Sequence, residues 1–271
     1  MTKPNLAAFQ TTVLDYYRRH GRHDLPWRRP DTAGFDAYKI MVSELMLQQT
    51  QVTRVIPKYR SFLLLFPTVE SLARAPLGAV LSAWSGLGYN RRAKFLHQAA
   101  QMIMNDFDGR IPGSVPVLIK LPGVGTNTAG AIVAYAFSQP TIFIETNIRS
   151  VFIHHFFSAD QIIHDRQILE LVAATLPASD VRVWYWALMD YGSYLKQTTG
   201  NAARRSTSYN RQSAFAGSRR QLRGQTIKLL TERSYNVIEL SELMNDERLP
   251  EVLQTLEAEG LIHRHDDQLS I

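Results

Sequence analysis

The segment Leu121-Pro122-Gly123-Val124-Gly125 has the residue types of a tight turn that approaches an anion closely. Pro122 ends the helical pattern before it, and the two glycines permit a sharply turned backbone with no side chain in the way. A new helical pattern starts at Thr126, and the first N–H groups of a helix have no acceptor within it. Such donors, together with the helix dipole, suit a phosphate group. The segment therefore predicts a phosphate-binding hairpin, with an ordinary turn between helices as the alternative.

One acidic residue, Glu145, lies between the apolar residues 142–144 and a further helical pattern at 148–157. Thr146 or Asn147 can cap that helix, and the helix dipole favours an acid at this end. A purely structural acid is common in such a place. Because Glu145 follows the hairpin helix directly, its carboxylate can also face the strand whose phosphate the hairpin binds.

The elements that position these residues are helical. Of the 271 residues, 45% are hydrophobic and 20% charged, as in folded globular proteins. Apolar residues recur every three or four positions as far as residue 194, and Phe95, Ala99 and Met102 share one face. We expect an all-α domain with helices at 6–17, 38–47, 52–66, 69–75, 77–85, 91–105, 115–120, 127–137 and 148–157.

The rest of the chain differs in composition. Residues 198–222 are rich in Ser, Thr, Asn, Gly and Arg, which predicts a basic linker that buries little. Beyond it, helical patterns at 223–233, 237–243 and 249–259 precede an apolar-polar alternation at 261–271. This order predicts a small C-terminal winged-helix-like module, with a plain helical cap as the alternative. We therefore expect domains at 1–197 and 223–271, joined by the linker.

Charge and composition narrow the function. The net charge is +6, and arginines cluster at 18–29 and 204–223, which favours a polyanionic partner over solvated helix faces. The chain has no cysteine, which excludes disulfides, thiolate catalysis and a cysteine-bound iron–sulfur cluster. No apolar run approaches the roughly 18 residues of a membrane span. The first ten residues lack the order of a secretory signal, so we expect a cytoplasmic protein.

Several segments occur in the order found in one known family. They are Leu25-Pro26-Trp27-Arg28, the stretch Ser43-Glu44-Leu45-Met46-Leu47-Gln48-Gln49-Thr50, residues 84–89, 121–130, 145–151 and 187–192. Over about residues 6–195 the chain resembles the helix-hairpin-helix (HhH-GPD, endonuclease III-like) DNA glycosylases, and within them the MutY type that removes adenine. The resemblance implies a two-lobed helical domain that flips a base out of duplex DNA.

The resemblance implies a general acid and a wedge. Glu44 matches the acid that protonates a purine ring nitrogen so that the base leaves neutral, which requires a dry pocket that raises the pKa of the carboxyl. Gln49 matches the wedge that fills the base stack after flipping. Four further residues are implied to take part in the wedge: Gln48, Thr50, Leu87 and Tyr89.

The resemblance also implies a base pocket. Trp27 and Arg28 match part of its wall, and Asn127 and Trp186 fall at two further pocket positions. Relatives with β-lyase activity have a lysine at the position of Asn127. Asparagine forms no Schiff base, so we expect a monofunctional glycosylase. Trp186 stands where MutY proteins commonly have Gln or Glu, and it cannot accept the exocyclic N–H of adenine.

Two acids complete the expected chemistry. Glu145 matches the family aspartate that stabilises the cationic sugar and orients the nucleophile, and its extra methylene changes its reach by roughly an ångström. An inactive remnant is the alternative reading of Glu145. Asp190 is a candidate second acid, with a helix cap or brace as the alternative.

The hairpin and the basic segment are implied to bind the DNA backbone. The hairpin residues concerned are Leu121, Gly123, Val124, Gly125, Thr126 and Thr128. In similar proteins a monovalent ion, Na+ or K+, lies at carbonyls that correspond to those of Ile119, Leu121 and Val124. Most members also carry four cysteines that bind an iron–sulfur cluster. This chain is a clusterless variant with no required cofactor, and we expect Arg204, Arg205 and Arg211 to contact phosphates in its place.

We expect a monomer that acts on duplex DNA containing a mispaired or damaged base, most simply adenine opposite 8-oxoguanine or guanine. One alternative is a glycosylase of the same fold that removes thymine, uracil or a 5-substituted pyrimidine opposite guanine. Another is a lesion-binding protein without catalysis, favoured by Glu145 in place of aspartate. A transcription factor built on the C-terminal module leaves the Glu44 and Gln49 motif unexplained.

Overall fold

The structure, a computed structural model, describes residues 5–158, 161–211 and 214–271, and most of them are helical. The helices are α1 Leu6–His20, α2 Ala37–Leu47, α3 Val52–Leu65, α4 Val69–Arg74, α5 Leu77–Trp84, α6 Arg91–Asp106, α7 Val115–Leu118, α8 Thr126–Phe137, α9 Thr146–Phe156, α10 Asp165–Thr175, α11 Val181–Thr198, α12 Arg219–Glu232, α13 Val237–Met244 and α14 Leu249–Ala258. Short 3₁₀ turns cover Pro26–Arg28 and Ala202–Arg205. The strands are β1 Tyr235–Asn236, β2 His263–His265 and β3 Gln268–Ser270. In the described parts, no helix combines the length and apolarity needed to cross a bilayer.

Helices α1 to α9 confirm the segments predicted from the apolar spacing, and each helix end lies within three residues of its predicted position. Helices α10 and α11 have no predicted bounds. In α11 the buried residues include Trp184, Tyr185, Trp186, Ala187 and Leu188, which follow one another directly around the helix.

One compact unit comprises the described residues of 1–41, 113–119 and 124–211. Helix α11 packs along α1 and α9. The ring of Phe9 lies 5.2 Å from that of Phe152 and 6.0 Å from that of Trp184, centroid to centroid. Gly192 lets α11 and α9 approach closely, because a Cβ there would lie 2.3 Å from the carbonyl oxygen of Asn147. This packing fixes the start of α9, where Glu145 lies.

The described part of the segment after α11 is largely exposed, as its composition predicts, but residues 201–207 pack against the rest of their unit. Ala203 is fully buried and Ser206 nearly so. The N–H of Ile163 donates to the carbonyl of Arg205 at 2.9 Å, and the N–H of Thr207 donates to the carbonyl of Ile163 at 3.0 Å. The Ser206 hydroxyl donates to Asp165 at 3.2 Å. Short polar residues here satisfy neighbouring polar groups instead of water, which composition does not reveal.

The second compact unit comprises 42–112, 120–123 and the described residues of 212–271. Helix α6 packs on α4 and α5, around the fully buried Phe62, Trp84 and Leu96. Three helices and an antiparallel sheet of order β1-β3-β2 confirm the winged-helix-like module. Helix α12 packs on α5 and starts at Arg219 instead of 223, because Ser218 caps it through the N–H of Gln221. The predicted boundary at 222 therefore falls inside α12.

The hairpin glycines differ in what they require, which gives a test of the fold. Gly123 has φ +77°, and a Cβ there would lie 2.7 Å from the Cβ of Phe95, whereas a Cβ at Gly125 would meet nothing within 4 Å. We expect Gly123→Ala to lower the free energy of unfolding by about 3 kcal/mol. The matched Gly125→Ala should cost less than about 1 kcal/mol. Equal effects in urea unfolding would contradict this hairpin conformation.

Candidate functional site

The hairpin presents backbone and buries side chains. Leu121 and Val124 are 2% and 5% exposed, so both anchor the turn in the protein. Gly125 is the N-cap of α8 and offers no side chain to the first turn, and its carbonyl accepts from the N–H of Ala129 at 2.8 Å. Thr126 is exposed, whereas Thr128 is buried. The N-terminal turn of α8 is therefore exposed, which the predicted phosphate site requires.

Two predicted wedge residues have left-handed backbones. Gln49 has φ +54° and Tyr89 has φ +50°, a region that non-glycine residues enter at a cost of roughly 1–2 kcal/mol. Both side chains are exposed. Gln48 and Thr50 are half-buried, but Leu87 is only 3% exposed and packs in the core. Strained and exposed residues cluster at binding sites, which fits Gln49 and Tyr89 better than Leu87.

A buried arginine that sequence reasoning missed connects these two loops. Arg92, in α6, donates to the carbonyls of Leu45 and Gln48 at 2.6 Å each and to that of Met46 at 3.1 Å. It also donates to the Thr50 hydroxyl at 3.1 Å. Burial lowers the pKa of Arg92 to about 10, so it stays charged at neutral pH. Two adjacent arginines at the start of a helix carry no sequence signal that one of them points inward.

The Arg92 guanidinium also faces the second loop. It donates to the carbonyl of Gly88 at 3.2 Å and lies 5.4 Å from the ring centroid of Trp84 and 5.3 Å from that of Tyr89. One cation thus satisfies the carbonyls at the end of α2 and contacts the loop that carries Tyr89. These contacts hold the two wedge loops in fixed positions relative to each other.

Glu44 lies on α2 among buried neighbours. Met41, Val42, Ser43, Leu45 and Met46 are all fully buried, whereas Glu44 is half-buried. It is the one ionisable side chain between Ile40 and Leu47. Glu44 therefore presents a carboxyl group about one helical turn before Gln48 and Gln49.

Glu145 is half-buried at the N-cap of α9. Burial raises the pKa of its carboxyl, although Arg149 and the N–H of Thr146 act in the opposite direction. Asn127 fixes Ile144, the residue before Glu145, because the side-chain oxygen of Asn127 accepts from the N–H of Ile144 at 3.2 Å. The start of the hairpin helix α8 and the acid are therefore connected within one unit.

Arg149 is paired elsewhere. Its Nη2 lies 2.7 Å from a carboxylate oxygen of Asp165, and its Nε donates to the other at 2.9 Å. The hydrogen bonds from Arg149 are the main cause that lowers the pKa of Asp165. Because Asp165 accepts both of these hydrogen bonds, Arg149 only partly offsets the effect of burial on the pKa of Glu145. The Glu145 carboxylate therefore remains a stronger base than an ordinary glutamate.

The structure places Asp190 as a brace. It is 3% exposed, and Arg28 donates to both of its carboxylate oxygens, at 2.7 and 2.9 Å. Arg22 adds further bonds at 2.5 and 2.7 Å. Burial raises the pKa of Asp190, but both arginines lower it by more, so the group is held ionised.

The predicted pocket wall is closely packed. Arg28 and Trp186 are each 7% exposed, and the guanidinium lies 5.3 Å from the indole ring. Trp186 also stacks on Tyr135, with centroids 5.9 Å apart, and meets Phe35 edge-on at 5.4 Å. Trp27 is buried as well. These side chains form a rigid aromatic layer, with Asp190 behind it.

The three basic residues of the segment after α11 have different surroundings. Arg205 donates to the carbonyls of Ser158 and Gln161, so it holds the chain together. Arg204 and Arg211 are exposed. Within the described residues, no three His, Asp or Glu side chains are grouped closely enough to hold a metal ion.

The Arg92 contacts predict a loss of stability. Arg92→Met leaves the carbonyls of Leu45, Met46 and Gln48 at the end of α2 without this donor, so we expect the free energy of unfolding to fall by about 3 kcal/mol, and by less in Arg92→Lys. Arg91→Met is the matched control, because Arg91 is exposed and lies 3.9 Å from Glu259. Its effect should stay within about 0.5 kcal/mol. Urea unfolding of the three variants checks this, and equal losses at 91 and 92 would contradict it.

The raised pKa of Glu145 predicts a pH-dependent stability. Burial penalises the ionised carboxyl in the folded state only, so the penalty is full above the folded pKa and absent below the usual value of 4.5. Glu145→Gln should therefore unfold at a higher temperature than the parent at pH 8, with the difference shrinking as the pH falls towards 4.5.

Asp165→Asn should change the unfolding temperature in the opposite direction. The folded pKa of Asp165 is lowered, so its ionised form stabilises the fold above 3.8. This variant should unfold at a lower temperature than the parent at pH 8. A Glu145→Gln variant that is less stable than the parent at pH 8 would show that the carboxylate is not penalised there.

Comparison with known proteins shows what this chain is similar to. A family profile described as "HhH-GPD superfamily base excision DNA repair protein" matches residues 42–177. An adenine DNA glycosylase of Mycolicibacterium smegmatis is 34% identical over 94% of this chain and 92% of its own length. One from Buchnera aphidicola subsp. Baizongia pistaciae is 35% identical over 69% of this chain, which spans 52% of that relative.

Two solved structures share the fold. A thermostable thymine-DNA glycosylase superposes with a TM-score of 0.60 at 25% identity, over 69% of this chain and 86% of its own. An endonuclease III in a non-covalent DNA complex also gives 0.60, at 17% identity, over 72% of this chain and 89% of its own. The second likeness shows the fold alone.

Proposed function

Because the chain belongs to the HhH-GPD superfamily of base excision DNA repair proteins, we propose that it is a monofunctional DNA glycosylase. It flips a base from duplex DNA and hydrolyses the N-glycosidic bond. The proposed substrate is adenine opposite 8-oxoguanine or guanine, in line with the names of the Mycolicibacterium and Buchnera relatives. The observation that carries the proposal is Glu44, the one ionisable side chain between Ile40 and Leu47, on a helix that ends two residues before the strained Gln49.

Glu44 and Gln49 have complementary roles in this proposal. Gln49 enters the base stack when the target nucleotide leaves it, and its left-handed backbone projects the side chain outward. Glu44 then donates a proton to a purine ring nitrogen, so that the base departs as a neutral leaving group. Tyr89 joins the wedge from the second loop. Leu87 keeps this role only if the loop opens, because it is buried.

Glu145 acts on the sugar side. A carboxyl group with a raised pKa accepts a proton from water more readily than an ordinary glutamate, which suits a general base. Its ionised form also stabilises the cationic sugar. Asn127, at the start of α8, offers no amine for a Schiff base and holds the backbone beside Glu145. The product is therefore an intact abasic site.

The DNA backbone is proposed to bind at the start of α8 and along the basic segment. The hairpin residues Leu121 to Thr128 offer backbone donors to one phosphate, and a Na+ or K+ ion at the carbonyls of Ile119, Leu121 and Val124 would strengthen that site. Arg204 and Arg211 supply exposed charge, whereas Arg205 is engaged internally. We further propose that the protein acts as a cytoplasmic monomer.

A second candidate substrate is a mispaired or modified pyrimidine opposite guanine. The likeness to a thymine-DNA glycosylase, at 25% identity, favours it. Trp186 adds support, because a buried indole cannot accept the exocyclic N–H of adenine.

A panel of single-lesion duplexes separates these functions. We expect alkali-labile sites at adenine opposite 8-oxoguanine and guanine, and no strand cleavage before alkali. In single-turnover assays Glu44→Gln should reduce excision by at least about 10²-fold while duplex binding stays within threefold. Glu145→Asn should reduce it to a similar degree, and Glu145→Asp should retain part of it.

Three results would change the proposal. Alkali-labile sites at pyrimidines alone would assign the second candidate. Cleavage before alkali would contradict a monofunctional enzyme. Tight lesion binding without excision above that of Glu44→Gln would assign a binding protein in place of a glycosylase.

A further inference from the structure

Glu145 and Arg149 have the spacing of a helical ion pair. They lie four positions apart, and the N–H of Arg149 donates to the carbonyl of Glu145 at 2.8 Å, so one helical turn separates them. A glutamate that precedes an arginine at this spacing is the favourable orientation for such a pair. Among the described residues, however, the one ion pair of the Arg149 guanidinium is with Asp165. A residue of another helix therefore takes the cation that the local sequence offers to Glu145.

Asp165 is well suited to compete for this arginine. It is the first residue of α10, where the helix dipole favours a negative charge. Its two carboxylate oxygens accept from Nε and Nη2 of Arg149 at 2.9 and 2.7 Å, in the bidentate geometry that binds a guanidinium most strongly. Arg149 is only 8% exposed, so water competes little for these bonds.

The segment after α11 holds Asp165 in place. The buried Ser206 donates its hydroxyl to Asp165 at 3.2 Å, and Ser208 forms a second side-chain hydrogen bond with the same carboxylate. The Ser206 oxygen also accepts from the N–H of Ser208 at 3.1 Å. Asn201 accepts from the hydroxyl of Ser150 at 3.3 Å, which attaches the segment to α9. These bonds fix the position of Asp165 relative to the helix that carries the arginine.

The other charged groups near the start of α9 are engaged elsewhere. Lys196 of α11 donates to the side chain of Asn147 at 3.2 Å, and burial lowers its pKa. Arg205 donates to backbone carbonyls. The two histidines of α9 lie in its last turn. Arg149 is therefore the charged side chain that acts most strongly on the pKa of Glu145.

We propose that Asp165 is a positioning residue for the reaction, because it holds Arg149 away from Glu145 and leaves that carboxylate available to accept a proton from water. The inference rests on the proposed function, in which Glu145 is the general base. Without Asp165, the guanidinium can pair with Glu145 one turn away, and a carboxylate in such a pair is a weaker base. The segment after α11 then supports the reaction through Ser206.

The pH dependence of excision tests this proposal with the full chain, in single-turnover assays between about pH 5 and 9. The acidic limb of the profile reports the ionisation of the general base. Asp165→Asn releases Arg149 towards Glu145, so the limb should move to lower pH by about one pH unit, and excision at neutral pH should fall by about threefold. Arg149→Met removes the cation and should move the limb to higher pH.

Matched variants isolate the contact. Glu170→Gln removes an acid from the same helix, where Glu170 forms an exposed pair with Arg166, so the limb should not move. Ser206→Ala should move it in the same direction as Asp165→Asn but by less, whereas Thr207→Ala, at the next residue, should leave it in place. Because Ser206→Ala keeps the ion pair, it serves if Asp165→Asn folds poorly. A merely structural role of Asp165 would lower the rate equally at every pH.

A stability measurement tests the same contact without catalysis. In the parent, Glu145→Gln should raise the unfolding temperature at about pH 8, because it removes a buried charge. In an Asp165→Asn background the same change should raise it less, or lower it, because Glu145 is then paired with Arg149. Glu170→Gln is again the matched background, and there the effect of Glu145→Gln should equal that in the parent.

The outcomes separate this inference from the proposed function. Acidic limbs that coincide in the parent, Asp165→Asn and Arg149→Met overturn the inference, as does an equal shift in Asp165→Asn and Glu170→Gln. An effect of Glu145→Gln on stability that is the same with and without Asp165 also overturns it. A parent that excises no base from the lesion panel refutes the proposed function, and the stability comparison still decides whether Asp165 diverts Arg149.

Discussion

A helix that ends inside a protein leaves carbonyl groups without partners, and α2 ends where the candidate wedge begins. Arg92 supplies the missing donors, with hydrogen bonds to the carbonyls of Leu45, Met46 and Gln48. Buried carbonyls without a donor would cost about 1–3 kcal/mol each, so the turn at Gln49 depends on this cation. The same guanidinium faces the rings of Trp84 and Tyr89. Two strained residues, Gln49 and Tyr89, can therefore persist because one side chain holds both of their loops.

The other unit uses paired charges in a similar way. Asp190 takes up Arg28 and Arg22, and Asp165 takes up Arg149. In each pair the acid is fully engaged by arginine, and its pKa is lowered. Glu145 differs, because burial dominates over its charged neighbour and its pKa is raised. Of these three acids, the one proposed for chemistry is the one whose pKa is raised, and carboxyl groups with raised pKa values are concentrated at functional sites.

How much of the fold and of the candidate site follows from the sequence depends on how far apart along the chain the interacting residues lie. Apolar spacing, together with the Pro and Gly residues between the segments, predicts α1 to α9, and turn residues predict the hairpin at 121–125. Arg92, Asp190 and Arg220 act on residues 42 to 168 positions away, and no local pattern indicates such pairs. Leu87 appears in a motif with Tyr89 but is buried, since only the conformation of the loop decides which residue faces out.

Composition also misjudges residues 201–207, for a related reason. Its Ser, Thr and Asn residues are typical of solvated loops, yet here they bond to the chain at 158–165 and to α9. Asn201 accepts from the N–H of Ala203 at 3.2 Å, and Ser150 donates to the side chain of Asn201 at 3.3 Å. Relatives with a cluster hold the corresponding part of the chain through cysteines. In a chain without cysteine, hydrogen bonds among short polar side chains do this work, so the same residues that indicate a loop are those that order it.

The family resemblance implies an aspartate at the position of Glu145, and the start of α9 gives a physical account of the glutamate found there. An acid at an N-cap can either cap the helix or take part in chemistry. A short carboxylate caps the helix, because it folds back onto the N–H groups of the first turn. Glu145 starts α9 with its backbone carbonyl, which accepts from the N–H of Arg149 at 2.8 Å, and its side chain makes no capping bond to the second or third residue of the helix. The carboxyl group interacts instead with the N–H of Thr146, the first residue of α9, and with the charge of Arg149. Burial outweighs both of these interactions and raises the pKa of the Glu145 carboxyl, so the start of α9 positions the acid without holding it in the ionised form as strongly as the arginines hold Asp165 and Asp190.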